Sequence, residues 1–203
     1  MEPILQWGLR VIDAVQAIRS PAMDTAFEAI TEFGSANFYI AALIAFCWIA
    51  DPRLGAKIAA VIAVSVLVNY GLKHMLHEPR PFLLNPSVAV ISESGYSLPS
   101  GHAQHSLLFW GLIGAYFQRK SVWIFGTILV MLIGLSRVYL GVHFPTDILV
   151  GWLVGGAILS TTLFYVTNRV ARPTGQAHRA ESLEQPSSLA STDQGSVSKP
   201  PPQ

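Results

Sequence analysis

Apolar runs separated by short polar breaks constrain this chain more than any other feature. They cover about residues 37–50, 54–75, 100–117, 122–140 and 146–167. A helix of about 20 apolar residues crosses a bilayer core, where the backbone must satisfy its own hydrogen bonds. The run at 37–50 is short, and the end of the preceding helix is expected to lengthen it. Only 12% of the 203 residues are charged, against about 25% in soluble domains. Mean hydropathy, +0.44, agrees. The expected fold is all-α: a polytopic membrane bundle of about five transmembrane helices. The net charge of +1 gives no case for nucleic acid. Cys47 is the one cysteine and lies inside an apolar run, so an intramolecular disulfide or a Cys-based metal site is excluded.

The N-terminal segment reads differently. No basic region leads into an uninterrupted apolar core, so no cleavable signal peptide is expected. Over residues 3–19, Ile4, Val11, Ile12, Val15 and Ile18 share one helical face, and Gln6, Arg10, Asp13 and Gln16 another. After Pro21, Met23, Phe27 and Ile30 face one way while Asp24, Glu28 and Glu32 form an acidic stripe. Such helices lie in the interface plane. The expected organisation is therefore interfacial amphipathic helices over 1–35, a transmembrane core over 36–170, and a disordered cytoplasmic tail over 171–203, which is rich in Ser, Gln and Pro. Gly151, Gly155 and Gly156 suit close helix packing, and the tryptophans lie mostly near span ends.

Five spans place the termini on opposite faces. Arg53 with Lys57, Arg119 with Lys120, and Arg169, Arg172 and Arg179 share one face. The positive-inside rule makes that face cytoplasmic. Three polar stretches then emerge together on the opposite side.

One is the break between the last two spans, which holds Arg137, His143 and Asp147. Ionisable groups at a span edge are costly and usually functional. Pro145 can open a helix, which puts Asp147 in its first turn with His143 just before it. A carboxylate on one imidazole nitrogen leaves the other free as nucleophile or base. A snorkelling arginine and a capping aspartate would also explain these residues. The second stretch holds Lys73 and Arg80, a point charge and a bidentate fork for phosphate. The third, Ser100-Gly101-His102, opens a helix whose unpaired N–H groups attract anions. Together they form a pocket for a phosphoryl group, with cationic side chains in the place of magnesium and no cofactor expected. The residues alone do not choose which histidine attacks.

Lys73 with Arg80-Pro81, then Pro99-Ser100-Gly101-His102, then Ser136-Arg137 with His143 and Asp147, resembles in order and spacing the three-part signature of the type 2 phosphatidic acid phosphatase family. The likeness covers about residues 20–168. It implies that His143 is the nucleophile and forms a phosphohistidine, that Asp147 orients it, and that His102 is the general acid. It implies that Lys73, Arg80, Ser100, Gly101 and Arg137 hold the phosphate oxygens. Bacterial members of that family often carry a sixth span at the N-terminus, where this chain has its amphipathic segment.

The function expected is a membrane phosphatase for a lipid phosphate or diphosphate: a polyprenyl diphosphate, phosphatidylglycerol phosphate or phosphatidic acid. Its expected place is a bacterial inner membrane, with the site on the extracytoplasmic side. A lipid phosphotransferase would use the same residues and differ in product. A non-catalytic anion-binding or transport protein would need no nucleophile. The sequence does not name the lipid or the oligomeric state.

Overall fold

The computed structural model describes residues 3–49 and 51–170; the expected tail, 171–203, lies outside them. The described chain is helical: α1 (Pro3–Val15), α2 (Pro21–Glu32), α3 (Ala36–Ile49), α4 (Pro52–Leu76), the single turn α5 (Pro81–Leu84), α6 (Gly101–Phe117), α7 (Lys120–Tyr139) and α8 (Pro145–Val170). Each of the five expected spans coincides with a helix, α3, α4, α6, α7 or α8.

Local chemistry sets the boundaries. Ser20 accepts from the amide of Met23, and Pro21 opens α2. Asp51 accepts from the amide of Arg53 at 2.8 Å, and Pro52 opens α4. Both pairs supply a capping oxygen followed by a residue that lacks an amide to satisfy. Helix α4 ends on His77 in the left-handed region, φ 52°.

Helices α4, α7 and α8 are each long and apolar enough to span a membrane, and α2 with α3 passes the same test as a pair bent by 48°. The bend between α2 and α3 fits either a broken span or a re-entrant pair, so three helices, or four spans counting this pair as one, pass by length and composition. Helix α6 has 17 residues and is the bundle's buried centre, with Leu108 and Phe109 almost wholly covered. Tyr39 of α3 and Ile58 and Ile62 of α4 pack on that stretch of α6. Outward residues of the spanning helices are large and apolar, Leu67, Ile128 and Leu153 among them, as lipid contact requires.

Gly151 and Gly155 do let α8 close on α6: a Cβ there would lie 2.6 Å from the Ser100 carbonyl oxygen and 2.5 Å from that of Gln104. Gly156 faces open space and takes no part in this seam. Trp110 and Trp152 also depart from the expected belt, because both pack inward on the core clusters. Trp7, Trp48 and Trp123 remain exposed.

In α1 the buried face is rotated from the one read in the sequence, keeping Ile12 and Val15 and adding Leu5 and Leu9. Ile12 is fully covered, with Leu5, Leu9 and Val15 beside it against Val88, Val138, Phe144 and Ile148. Ile4 and Ile18 stay exposed. Shape decides this: a Cβ at Gly8 would lie 2.6 Å from the Phe144 ring, so a residue with no side chain turns that face inward. Helix α2 follows expectation, with Phe27, Met23 and Ile30 packed on Tyr139, Leu140 and Val142.

Candidate active site

The three polar stretches meet at one end of the bundle. Helix α7 delivers Arg137 at its last turn, the 140–144 turn carries His143, and α8 opens on Pro145 with Asp147 in its first turn. Gly141 makes the turn possible. Its φ is +73°, and a Cβ there would sit 1.9 Å from the Val88 carbonyl oxygen, so no other residue fits.

His143 is 1% exposed. Its Nδ1 lies 3.2 Å from Asp147 Oδ2, and its Nε2 lies 3.4 Å from Arg80 Nη1. A guanidinium only donates, so the nitrogen facing it must carry the lone pair. Nδ1 therefore carries the proton and donates to Asp147. Asp147 Oδ2 also accepts from the Phe144 amide at 2.8 Å and from the Ser97 hydroxyl at 2.5 Å. Burial first, then the cations Arg137, Arg80 and Lys73, hold His143 well below the ordinary imidazole pKa. The ring is neutral at neutral pH, as a nucleophile must be.

The arginines form the opposite wall. Arg80 donates from Nε to the Gly95 carbonyl, from Nη2 to that of Ser94, and from Nη1 to that of Val142, at 3.0, 2.9 and 3.0 Å. Arg137, wholly buried, donates from Nη1 to Thr31 Oγ1 at 2.7 Å and from Nη2 to Glu93 Oε1. Glu93 Oε2 pairs with Arg80 Nη1 at 3.0 Å. One carboxylate thus bridges both guanidiniums beside His143. Burial by itself pushes the Glu93 carboxyl up, but the Arg137 and Arg80 cations and nearby His102 outweigh it and leave the pKa at about 2.

Lys73 Nζ donates to the carbonyls of Tyr96 and Ser97, and lies within electrostatic range of Arg80, Arg137 and Asp147. Ser100 precedes α6, and its hydroxyl is buried with no partner among the described residues. Gly101 begins α6, where a Cβ would come within 3.3 Å of Asn69 Oδ1. His102, on the first turn, lies within electrostatic range of Glu93, Arg137 and His143. All eight residues singled out from the sequence, Lys73, Arg80, Ser100, Gly101, His102, Arg137, His143 and Asp147, converge here.

Sequence reasoning passed over four supports. Glu93 and Ser97 sit in the irregular 89–100 segment, and Thr31 on α2. The fourth is a buried bridge in which Asn69 donates to Gln104 Oε1 at 2.9 Å and Gln104 donates to Ser65 Oγ at 2.8 Å. Asn69 also donates to the Pro99 carbonyl, so α4 braces the start of α6. The one sequence signal for the bridge was polarity inside apolar runs. Glu93 and Thr31 gave none.

Residues 54–171 match the family model of the PAP2 superfamily. The chain belongs to that superfamily. Phosphatidylglycerophosphatase B of Bacillus subtilis is 30% identical over 156 residues, covering 70% of this chain and 74% of that protein. Undecaprenyl-diphosphatase of Sulfolobus acidocaldarius is 32% identical over 109 residues, covering 52% of each. The crystal structure of a transmembrane PAP2-type phosphatidylglycerolphosphate phosphatase from Bacillus subtilis superposes with a TM-score of 0.75 at 24% identity, over 83% of this chain and 88% of that one. Aquifex aeolicus LpxE superposes with a TM-score of 0.70, over 77% of this chain and 94% of that one. This PAP2 protein is thus an integral membrane enzyme of a phosphatase family. Helices α1 to α3 lie outside the matched residues.

Proposed function

We propose that this PAP2 enzyme hydrolyses a lipid phosphate or diphosphate through a phosphohistidine at His143. One observation carries the reading: Asp147 holds Nδ1 of a buried neutral imidazole while its Nε2 lone pair faces Arg80. A phosphoryl group seated on the arginines presents its phosphorus to that lone pair. Nε2 attacks phosphorus, the bond from phosphorus to the leaving oxygen breaks, and His102 passes its proton to that oxygen. Water then attacks the phosphorus, giving a proton back to His102; the bond from phosphorus to Nε2 breaks with its electron pair returning to Nε2, and inorganic phosphate leaves.

Lys73, Arg80 and Arg137, with the Ser100 hydroxyl and the amide of Gly101, would surround the phosphoryl oxygens. Charge compensation and positioning are what phosphoryl transfer chiefly needs. The bridging Glu93 carboxylate marks where an oxyanion is stabilised. The substrate is a phosphatidylglycerol phosphate or a polyprenyl diphosphate such as undecaprenyl diphosphate, as the names of the relatives suggest, or phosphatidic acid. Leu83, exposed on α5 three residues after Arg80, suits an approaching lipid. The basic residues Arg53, Lys57, Arg119 and Lys120 gather at the other end of the bundle, which supports an extracytoplasmic site, with α1 and α2 at the membrane surface.

The test is a panel of lipid phosphates and diphosphates with the full chain in detergent, measuring phosphate release, lipid products and acid-labile phosphoenzyme. Turnover with a trapped phosphohistidine is expected, undiminished by chelators. Turnover without any phosphoenzyme under rapid quench would refute the covalent route, and loss on chelation restored by magnesium would refute the metal-free scheme.

A further inference from the structure

Thr31 lies on the last turn of α2, outside residues 54–171, which match the superfamily's family model. It is buried, 5% exposed, and accepts from Arg137 Nη1 at 2.7 Å. A guanidinium presents Nε and Nη2 together along one edge, with Nη1 on the far side. In Arg137, Nη2 meets Glu93, and Nε is buried with no partner among the described residues. The edge with unused donor capacity is therefore the one turned toward Glu93 and away from Thr31. Bidentate recognition of phosphate uses one such edge.

Arg80 and Arg137 are anchored by different means. Arg80 is gripped by backbone carbonyls of Ser94, Gly95 and Val142. Arg137 has two acceptors among the described residues, Glu93 and Thr31. A phosphate that takes the Nε–Nη2 edge displaces or shares the Glu93 contact, and Thr31 then remains as the anchor. Helix α2 is itself fixed on α7 close by. The Tyr139 hydroxyl donates to Asp24 Oδ1 at 2.6 Å, and its ring stacks on Phe27 with centroids 4.1 Å apart.

We propose that Thr31 is a positioning residue of the phosphate site, holding Arg137 so that its Nε–Nη2 edge faces the phosphoryl oxygens. The inference rests on reading Arg137 as a phosphate ligand. It makes α2 a working part of the site.

The experiment compares Thr31→Val, Thr31→Ser, Arg137→Lys and the Thr31→Val/Arg137→Lys double variant, each as full chain in detergent. The readouts are kcat and KM for a lipid phosphate and inhibition by orthovanadate, a phosphate analogue. A hydrogen bond to a charged group is worth roughly ten-fold or more in binding. Thr31→Val is expected to raise KM and the vanadate inhibition constant by about that factor, and Thr31→Ser to restore both. In the Arg137→Lys background the added effect of Thr31→Val should shrink to within about two-fold, since the partner is gone. Thr31→Cys, which offers only a weak acceptor, carries the same comparison should the valine variant not fold. An undiminished effect in the lysine background, a serine variant no better than valine, or a valine variant equal to wild type would overturn the proposal. A wild-type chain that neither hydrolyses lipid phosphates nor binds vanadate would instead overturn the phosphatase reading.

Discussion

The two walls of the site are held in place in opposite ways. The histidine wall is fixed mainly by near neighbours: Asp147 stands four residues from His143 and accepts from the Phe144 amide three residues back. The arginine wall is fixed from a distance. Arg137 depends on Thr31, 106 residues away, and on Glu93, 44 away, while Arg80 reaches the Val142 carbonyl across 62 residues. The geometry of the proposed nucleophile is thus written into one short stretch. The charge proposed to neutralise the phosphoryl group is assembled only when the bundle closes.

The largest expected effect tests the locally held wall. His143→Ala should abolish turnover and phosphoenzyme, a loss on the order of 10⁴-fold or more, as when other catalytic nucleophiles are removed, while leaving vanadate binding to the arginines in place. Residual phosphoenzyme in that variant would move the nucleophile elsewhere.

His102→Ala comes next. General acid catalysis contributes roughly 10²–10⁴-fold. The defect should be of that order for a lipid monophosphate and much smaller for an aryl phosphate, whose oxygen departs without a proton. Equal defects for both substrates would remove His102 from the role of acid.

Glu93 probes the remotely held wall. Glu93→Ala strands two buried guanidiniums, and breaking such a pair costs about 3–5 kcal/mol, read as a lower melting point in detergent. The sign with pH follows from a pKa lowered to about 2 from the ordinary 4.5. A depressed carboxyl contributes stability fully above its unfolded-state pKa and loses it as pH falls through the folded-state pKa. This contribution should hold from neutral pH to about 4.5 and fade toward pH 2. Glu93→Gln should flatten that acid limb; an unchanged limb would show that the bridge does not form in solution.

The smallest effect belongs to Ser97, whose hydroxyl donates to Asp147 and has no exposure. Ser97→Ala should lower stability by about 1.5–3 kcal/mol, the range for hydrogen bonds to charged groups. A melting point equal to wild type would mean that the Phe144 amide alone fixes the carboxylate.

This contrast also explains what the sequence disclosed. Helix positions were legible, because apolar runs and the Asp51-Pro52 and Ser20-Pro21 pairs mark them locally. The His143–Asp147 pair was legible because a proline fixes where its helix starts. Glu93 and Thr31 were not, since nothing near either residue signals an arginine far along the chain. The buried face of α1 was misread for a related reason: its fit depends on Gly8 meeting Phe144, a contact between distant segments.

One backbone hydrogen bond ties together the two helix starts on which the proposed mechanism depends. The Ser100 amide donates to the Asp147 carbonyl at 3.0 Å, and so joins the start of α6 to the start of α8. His102 and His143 lie close in sequence to the two ends of that strut, so the proposed proton donor and the proposed nucleophile are tied through it. Parting the seam to admit a larger headgroup would break the bond and separate the two groups that, in the proposed mechanism, act on the same phosphorus. The strut therefore works as a fixed gauge. On the proposed mechanism, substrates would be sorted by whether their phosphorus reaches it.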